Sequence, residues 1–214
     1  MNSLTLPPEL ADQYAKVRQC IVNGNPRKIK TLAVVGATHG GGTTTVAAQL
    51  AISLASDPKL TVLLVDANLR KPDLHRRFYV AQENGLSDLL FGKRDFREVL
   101  KTVPIKNLLF ITSGKSISDP SGFFEAKDVE EKVIRPAVNF DHVIMDCPPI
   151  NPYPEGTMLA SRSDGAVLVV QAGETRREIL LEARQQMTQA RVNLLGVVLN
   201  RRKYYIPEFV YRKL

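Results

Sequence analysis

The chain is 214 residues long, 44% hydrophobic and 24% charged, which suits a single soluble domain with a sizeable core. No apolar run is long enough to span a bilayer, the opening "MNSLTLPPEL" lacks the pattern of a secretory leader, and Cys20 and Cys147 are too few for a disulfide framework or a zinc site. A cytoplasmic protein is the expectation; the net charge of +7 suits phosphates, nucleic acid or an acidic membrane face and selects none of them.

The first predicted element is a helix over about 8–22, where Leu10, Tyr14, Val17 and Ile21 follow helical spacing. It can pack on its own domain or on a neighbouring subunit, and the sequence favours the former. Six apolar runs follow at 31–35, 61–65, 107–112, 142–146, 165–172 and 193–200. None alternates with polar residues, as expected of strands buried on both faces in a parallel sheet. Helices are predicted between them at 43–56, about 122–138, about 154–161 and 175–190. In the last, Ile179, Ala183 and Met187 lie four apart and form one apolar face. The alternation predicts a doubly wound α/β fold, with a mostly parallel sheet flanked by helices and a ligand site at the strands' carboxyl ends.

The segment "GATHGGGTTT", Gly36 to Thr45, joins the first strand to the second predicted helix. Its glycines allow close backbone approach, and a helix N-terminus adds partial positive charge, so it has the form of a phosphate-binding loop. Thr44 stands where such a loop places its Mg²⁺-ligating hydroxyl. Thr43 stands where the lysine belongs. A charge-assisted hydrogen bond is worth about 1.5–3 kcal/mol, so its loss lowers nucleotide affinity roughly ten- to hundredfold. Phosphoryl transfer should suffer more, because charge moves on the phosphoryl oxygens in the transition state. A glycine-rich turn without a ligand satisfies the same local pattern.

Two further strand ends carry carboxylates. "TVLLVDANLRKPDLHRRF" ends its strand in Asp66 and then offers Asn68 and Arg70; "FDHVIMDCPPI" ends its strand in Asp146, where a P-loop protein holds its metal through water. Pro148 and Pro149 stop that strand. Cys147 has no basic partner in sequence and reads as a small buried residue.

With these segments in this order, nearly the whole chain resembles the cytoplasmic tyrosine-kinase domains of bacterial capsule and exopolysaccharide systems, the BY-kinase family of the deviant P-loop ATPases. The motifs are the Walker A loop "GATHGGGTTT", the Walker A' segment "DANLR", "GLSDLL" at 85–90, the Walker B "DCPP", "AGETRRE" at 172–178 and "GVVLN" at 196–200. "RKPDLHRRF" and "GLSDLL" favour the polysaccharide family over its partition relatives. The resemblance implies a P-loop fold in which Gly40, Gly41, Gly42, Thr43, Thr44 and Thr45 cradle the phosphates of ATP or ADP. Thr44, Asp66 and Asp146 hold Mg²⁺, Asp66 accepts the proton of the substrate hydroxyl, and Asn200 lies near the base. It implies a membrane polysaccharide co-polymerase or activator as partner, a position at the inner face of the membrane through that partner, and homo-oligomer assembly. No nucleic-acid partner is expected.

The departures from the family pattern fall on its chemistry. Thr43 replaces the Walker A lysine, and Thr38 occupies the place of the signature lysine in the partition relatives. Asn68 replaces the second Walker A' aspartate. The assembly motif of the N-terminal helix falls on Asp12, Ala15 and Arg18, so that only its last arginine persists. The basic tail 201–214 retains Tyr204, Tyr205 and Tyr211 as candidate phospho-acceptors. Arg70, Lys71, Arg76 and Arg77 are candidates for replacing the lost charge, and His39 is a weaker substitute donor. The expectation is a pseudokinase-like regulatory module with weak or no phosphotransfer. The alternatives are an active tyrosine autokinase whose cation comes from a partner, and a partition-type ATPase switch.

Overall fold

The computed structural model describes residues 8–22, 29–120, 122 and 126–202. Helix α1 (Pro8–Val22) is followed by β1 (Thr31–Gly36), α2 (Thr43–Ala55), β2 (Val62–Asp66), α3 (Leu74–Arg77), α4 (Leu86–Leu90), α5 (Phe96–Val99), β3 (Lys101–Thr102) and β4 (Leu108–Ile111). Then come α6 (Ala126–Val129), β5 (His142–Asp146), α7 (Pro154–Ser161), β6 (Gly165–Gln171), α8 (Arg177–Gln189) and β7 (Leu194–Asn200).

The strands form one seven-stranded sheet in the order β3-β4-β2-β5-β1-β6-β7. All neighbours are parallel except the short edge strand β3, which runs antiparallel to β4. The chain moves out from β1 to β2 and β4. It then returns to insert β5 between β1 and β2, and continues past β1 to β6 and β7. That reversal opens a crevice at the carboxyl ends of the central strands.

Every residue of β1, β2 and β5 is buried, which accounts for their unbroken apolar runs. Successive side chains point to opposite faces. Ala33, Val35, Leu63 and Val65 pack with Leu159 of α7 and with Ala183 and Met187 of α8. Leu32, Val34, Val62 and Leu64 pack with Leu50 and Leu54 of α2. Ala183 and Met187 are buried and Ile179 is packed against them, so the apolar face expected of α8 is the one that docks.

Helix α1 lies on its own domain. Ile21 is buried with the α2 layer, Tyr14 and Val17 pack against it, and Leu10 is exposed at the helix start. Arg18, the one persisting arginine of the assembly motif, donates to the Ser53 carbonyl and the Ser56 hydroxyl at the end of α2, both at 3.3 Å.

One predicted helix is broken. The segment expected as a helix over 122–138 contains α6, a π turn at Glu130–Ile134 and a 3-10 turn at Pro136–Asn139. Pro136 has no N–H and its ring would collide with the preceding turn. The helix widens before it, and the Arg135 N–H donates to the Glu130 carbonyl, five residues back, at 2.9 Å. The four- and five-residue helices α3, α4 and α5 and the two-residue β3 were not predicted. They are too short to show a period. Among the described residues no helix is long and apolar enough to cross a membrane.

Candidate nucleotide site

The loop between β1 and α2 is shaped by two glycines with positive φ, Gly40 at 81° and Gly42 at 86°. Gly42 caps α2 in the left-handed region, and its carbonyl accepts the first helical bond, from Val46 N–H at 3.0 Å. The N–H groups of the first turn, at Thr43, Thr44 and Thr45, have no intrahelical acceptor and are left for solvent or a ligand. The far edge of the sheet holds the loop from behind. The Asn200 side-chain amide, at the end of β7, donates to the Gly41 carbonyl at 2.8 Å. A methyl group on Gly42 would collide with that amide, and one on Gly36 would collide with the Thr43 hydroxyl oxygen. Thr43 thus rests its hydroxyl against the end of β1 and brings no charge to the loop.

Asp66 and Asp146 are the last residues of β2 and β5 and are paired in register. Both are buried. The Asp66 carboxylate accepts from the Asn68 and Leu74 N–H groups, each at 3.3 Å. Neither Asp146 oxygen has a hydrogen-bond partner among the described residues. Burial drives both acidities. The Asp66 carboxyl is pushed well above the usual range by burial first and then by the charge of Asp146. The Asp146 carboxyl is pushed up to about 7 by burial, with the Thr44 hydroxyl and the Arg77 guanidinium drawing it back. Thr44 faces this carboxylate without reaching hydrogen-bond geometry with either oxygen.

Two facing buried carboxylates, one of them with orphaned oxygens, beside a threonine hydroxyl are a hard oxygen donor set that fits Mg²⁺. Among the described residues no cluster of three or more His, Cys, Asp or Glu could hold a metal. An ion here would take its remaining ligands from water and phosphate oxygens, the manner in which Mg²⁺ is usually held.

Gly40, Gly42, Thr43, Thr44 and Thr45 line a cleft of about 170 Å³ with Thr38, His39, Asn68, Asp73, Arg77, Cys147, Pro149 and Arg201. The four basic residues that follow β2 separate clearly. Arg70 is engaged away from the cleft. It donates to Glu155 at 2.7 and 3.2 Å, to the Ser118 carbonyl at 2.6 Å and to Asp119 at 3.2 Å, and it stacks 4.2 Å from the Tyr153 ring centre. Lys71 and Arg76 are exposed, and neither lines the cleft. Arg77 does, paired with Asp73 at 3.0 Å.

His39 sits edge-on to Tyr153, with ring centres 5.3 Å apart, and burial followed by the charge of Lys71 lowers its pKa. It is a neutral donor near pH 7. Asn68 spends its side-chain oxygen on the Lys71 N–H at 3.2 Å. The Cys147 thiol is buried and pushed well up by burial first and then by Asp146, which makes it inert as a nucleophile.

Three participants were not singled out from sequence. Arg201 reaches the cleft from beyond β7. Tyr153 and the buried Glu155 do not line the cleft and instead hold Arg70 away from it. Pro154 followed by an acidic residue, a helix-start pattern, was the one signal for Glu155. Tyr204, Tyr205 and Tyr211 lie outside the described residues.

Comparison with known proteins settles the family. The AAA domain family matches residues 29–189. The chain is 32% identical over 203 residues to the tyrosine-protein kinase YwqD of Bacillus subtilis (strain 168), covering 94% of this chain and 85% of that one. It belongs to the BY-kinase family. Among solved structures, the chimerical protein CapA2B2 superposes with a TM-score of 0.88 at 24% identity, over 95% of this chain and 92% of that one. The kinase domain of the Escherichia coli tyrosine kinase ETK gives a TM-score of 0.83 at 25% identity, over 92% and 79%. The fold is the P-loop type that the resemblance implied.

Proposed function

We propose that this chain is a BY-kinase-derived regulatory module of bacterial capsule or exopolysaccharide synthesis or export. It binds ATP or ADP with Mg²⁺ weakly and transfers phosphoryl groups slowly or not at all. It acts at the inner face of the membrane through a polysaccharide co-polymerase or activator protein, with self-assembly as a further mode of control. One observation carries the reading: the glycine cradle and the Asp66–Asp146 pair are intact, while the lysine position holds a neutral hydroxyl resting on Gly36.

In this reading Gly40, Gly41 and Gly42 bring backbone N–H groups to the phosphates, and Thr43, Thr44 and Thr45 present the first turn of α2. Thr44, Asp66 and Asp146 hold the Mg²⁺, which neutralises phosphate charge when bound. Asn200 fixes the loop at Gly41 and lies on the side where the base enters. Asp66, anchored by two backbone N–H groups, is oriented to accept a proton from an incoming hydroxyl once its own charge is compensated. With no ammonium at 43, charge developing on the transferred group lacks a partner fixed in the loop itself, so binding outlasts catalysis.

Purified protein incubated with Mg²⁺ and labelled ATP is the test. The expected result is no accumulation of phosphotyrosine. Phosphotyrosine that forms in the native protein and vanishes in Asp66→Ala defeats the proposal. That result would establish the second reading, an active autokinase with Tyr204, Tyr205 and Tyr211 as acceptors, which the two cleft arginines favour. A partition-type switch would instead require salt-sensitive DNA binding.

A further inference from the structure

The vacancy at position 43 is a missing charge at one point of the cleft, and the structure brings a different charge there. Arg77 ends the short helix α3, lines the cleft together with Gly40, Thr43 and Thr44, and stands near enough to the metal carboxylates for its charge to act on Asp146. Asp73, four residues back, holds its Nε at 3.0 Å. Both side chains are partly open to solvent, 34% for Arg77 and 42% for Asp73. An i,i+4 pair at that exposure is weakly held. A phosphate oxygen pair can take the place of Asp73, since the guanidinium fork fits phosphate as well as carboxylate.

We infer that Arg77 replaces the missing loop lysine, swinging from Asp73 onto the terminal phosphates of a nucleoside triphosphate in the cleft. Asp73 then acts as a brake, both by retaining Arg77 and by repelling the phosphates. Arg201 also lines the cleft, beside Gly42 and Asn200, with its Nη1 3.5 Å from the Gln171 amide oxygen. The inference rests on the cleft being a nucleotide site, and it concerns binding, whereas the phosphotyrosine assay reads transfer.

The experiment is calorimetric titration of Mg·ATP, Mg·ADP and AMP into the native protein, Asp73→Asn and Asp73→Asn/Arg77→Ala. The Asp73→Asn background avoids leaving an unpaired carboxylate in the cleft. Asp73→Asn is expected to bind Mg·ATP more tightly than the native protein. Adding Arg77→Ala to it is expected to weaken Mg·ATP roughly ten- to hundredfold, with a smaller effect on Mg·ADP and none on AMP. Thr43→Lys should restore more affinity in the Arg77→Ala background than in the native one, because the two cations serve the same oxygens. Equal Mg·ATP affinity with and without Arg77, an equal loss for AMP, additive effects of the two substitutions, or no nucleotide binding by native protein and Asp73→Asn would each overturn the inference.

Discussion

Asp66 and Asp146 stand opposite one another in register on β2 and β5, both buried, and among the described residues only Asp66 has hydrogen-bond donors. Two carboxylates so placed cannot both be ionised cheaply without a cation between them. The pair is therefore a source of instability in the metal-free protein, and the same repulsion would favour a divalent ion.

The instability has a defined pH window. The Asp146 carboxyl is raised from 3.8 to about 7 by burial, so between these values the native state holds a proton that the unfolded chain has released. Stability from this group is full below about pH 4 and is lost as the pH rises through about 7. The loss is on the order of a few kcal/mol. Urea unfolding in the presence of a chelator is expected to give a larger fall between pH 5 and pH 7.5 for the native protein than for Asp146→Asn, whose amide has no proton to lose. Equal falls would mean that the pair is solvated or already neutralised.

Metal should reverse the effect. An ion that binds only the native state stabilises it by about 2.7 kcal/mol at a hundredfold excess over its Kd. Millimolar Mg²⁺ at pH 7.5 is expected to raise the melting temperature of the native protein and to leave Asp66→Asn and Asp146→Asn unmoved. A shift in both variants as large as in the native protein would place the ion elsewhere.

The two carboxylates were legible in the sequence because each ends an apolar run, and a strand buried on both faces leaves its last residue at the sheet's carboxyl edge. The same continuity made six of the seven strands legible. What sequence could not supply was contact across long separations. Asn200 and Gly41 lie 159 residues apart, and nothing local ties the end of β7 to the loop. Arg70 and Arg77 looked equivalent as substitutes for the lysine. A wholly buried Glu155, 85 residues on, claims the first, and the turn of α3 aims the second at the cleft.

The Arg70–Glu155 pair is expected to be structural. Glu155 is wholly buried, one of its oxygens depends on Arg70 at 2.7 Å, and the other has no partner among the described residues. Arg70→Ala should destabilise the protein by about 3–5 kcal/mol, because it strands a buried charge. Arg70→Met/Glu155→Leu should recover most of that loss. Urea midpoints for the two variants check this, and a double variant no more stable than Arg70→Ala would contradict it.

Gly42 and Asn200 together determine whether the loop can keep its shape. Gly42 has φ 86°, and a methyl group there would meet the Asn200 amide that holds the Gly41 carbonyl. Gly42→Ala therefore carries two penalties, a left-handed backbone costing about 1–2 kcal/mol for a residue with Cβ and a collision with Asn200. Asn200→Ala removes the collision and leaves the backbone strain. It also frees the Gly41 carbonyl, a loss of about 1 kcal/mol. Gly42→Ala alone should be less stable than the sum of strain and ordinary substitution effects implies. Added to Asn200→Ala, the same change should lose only the backbone part. A double-mutant cycle by chemical denaturation measures this coupling, and strict additivity would show that Asn200 does not press on the loop.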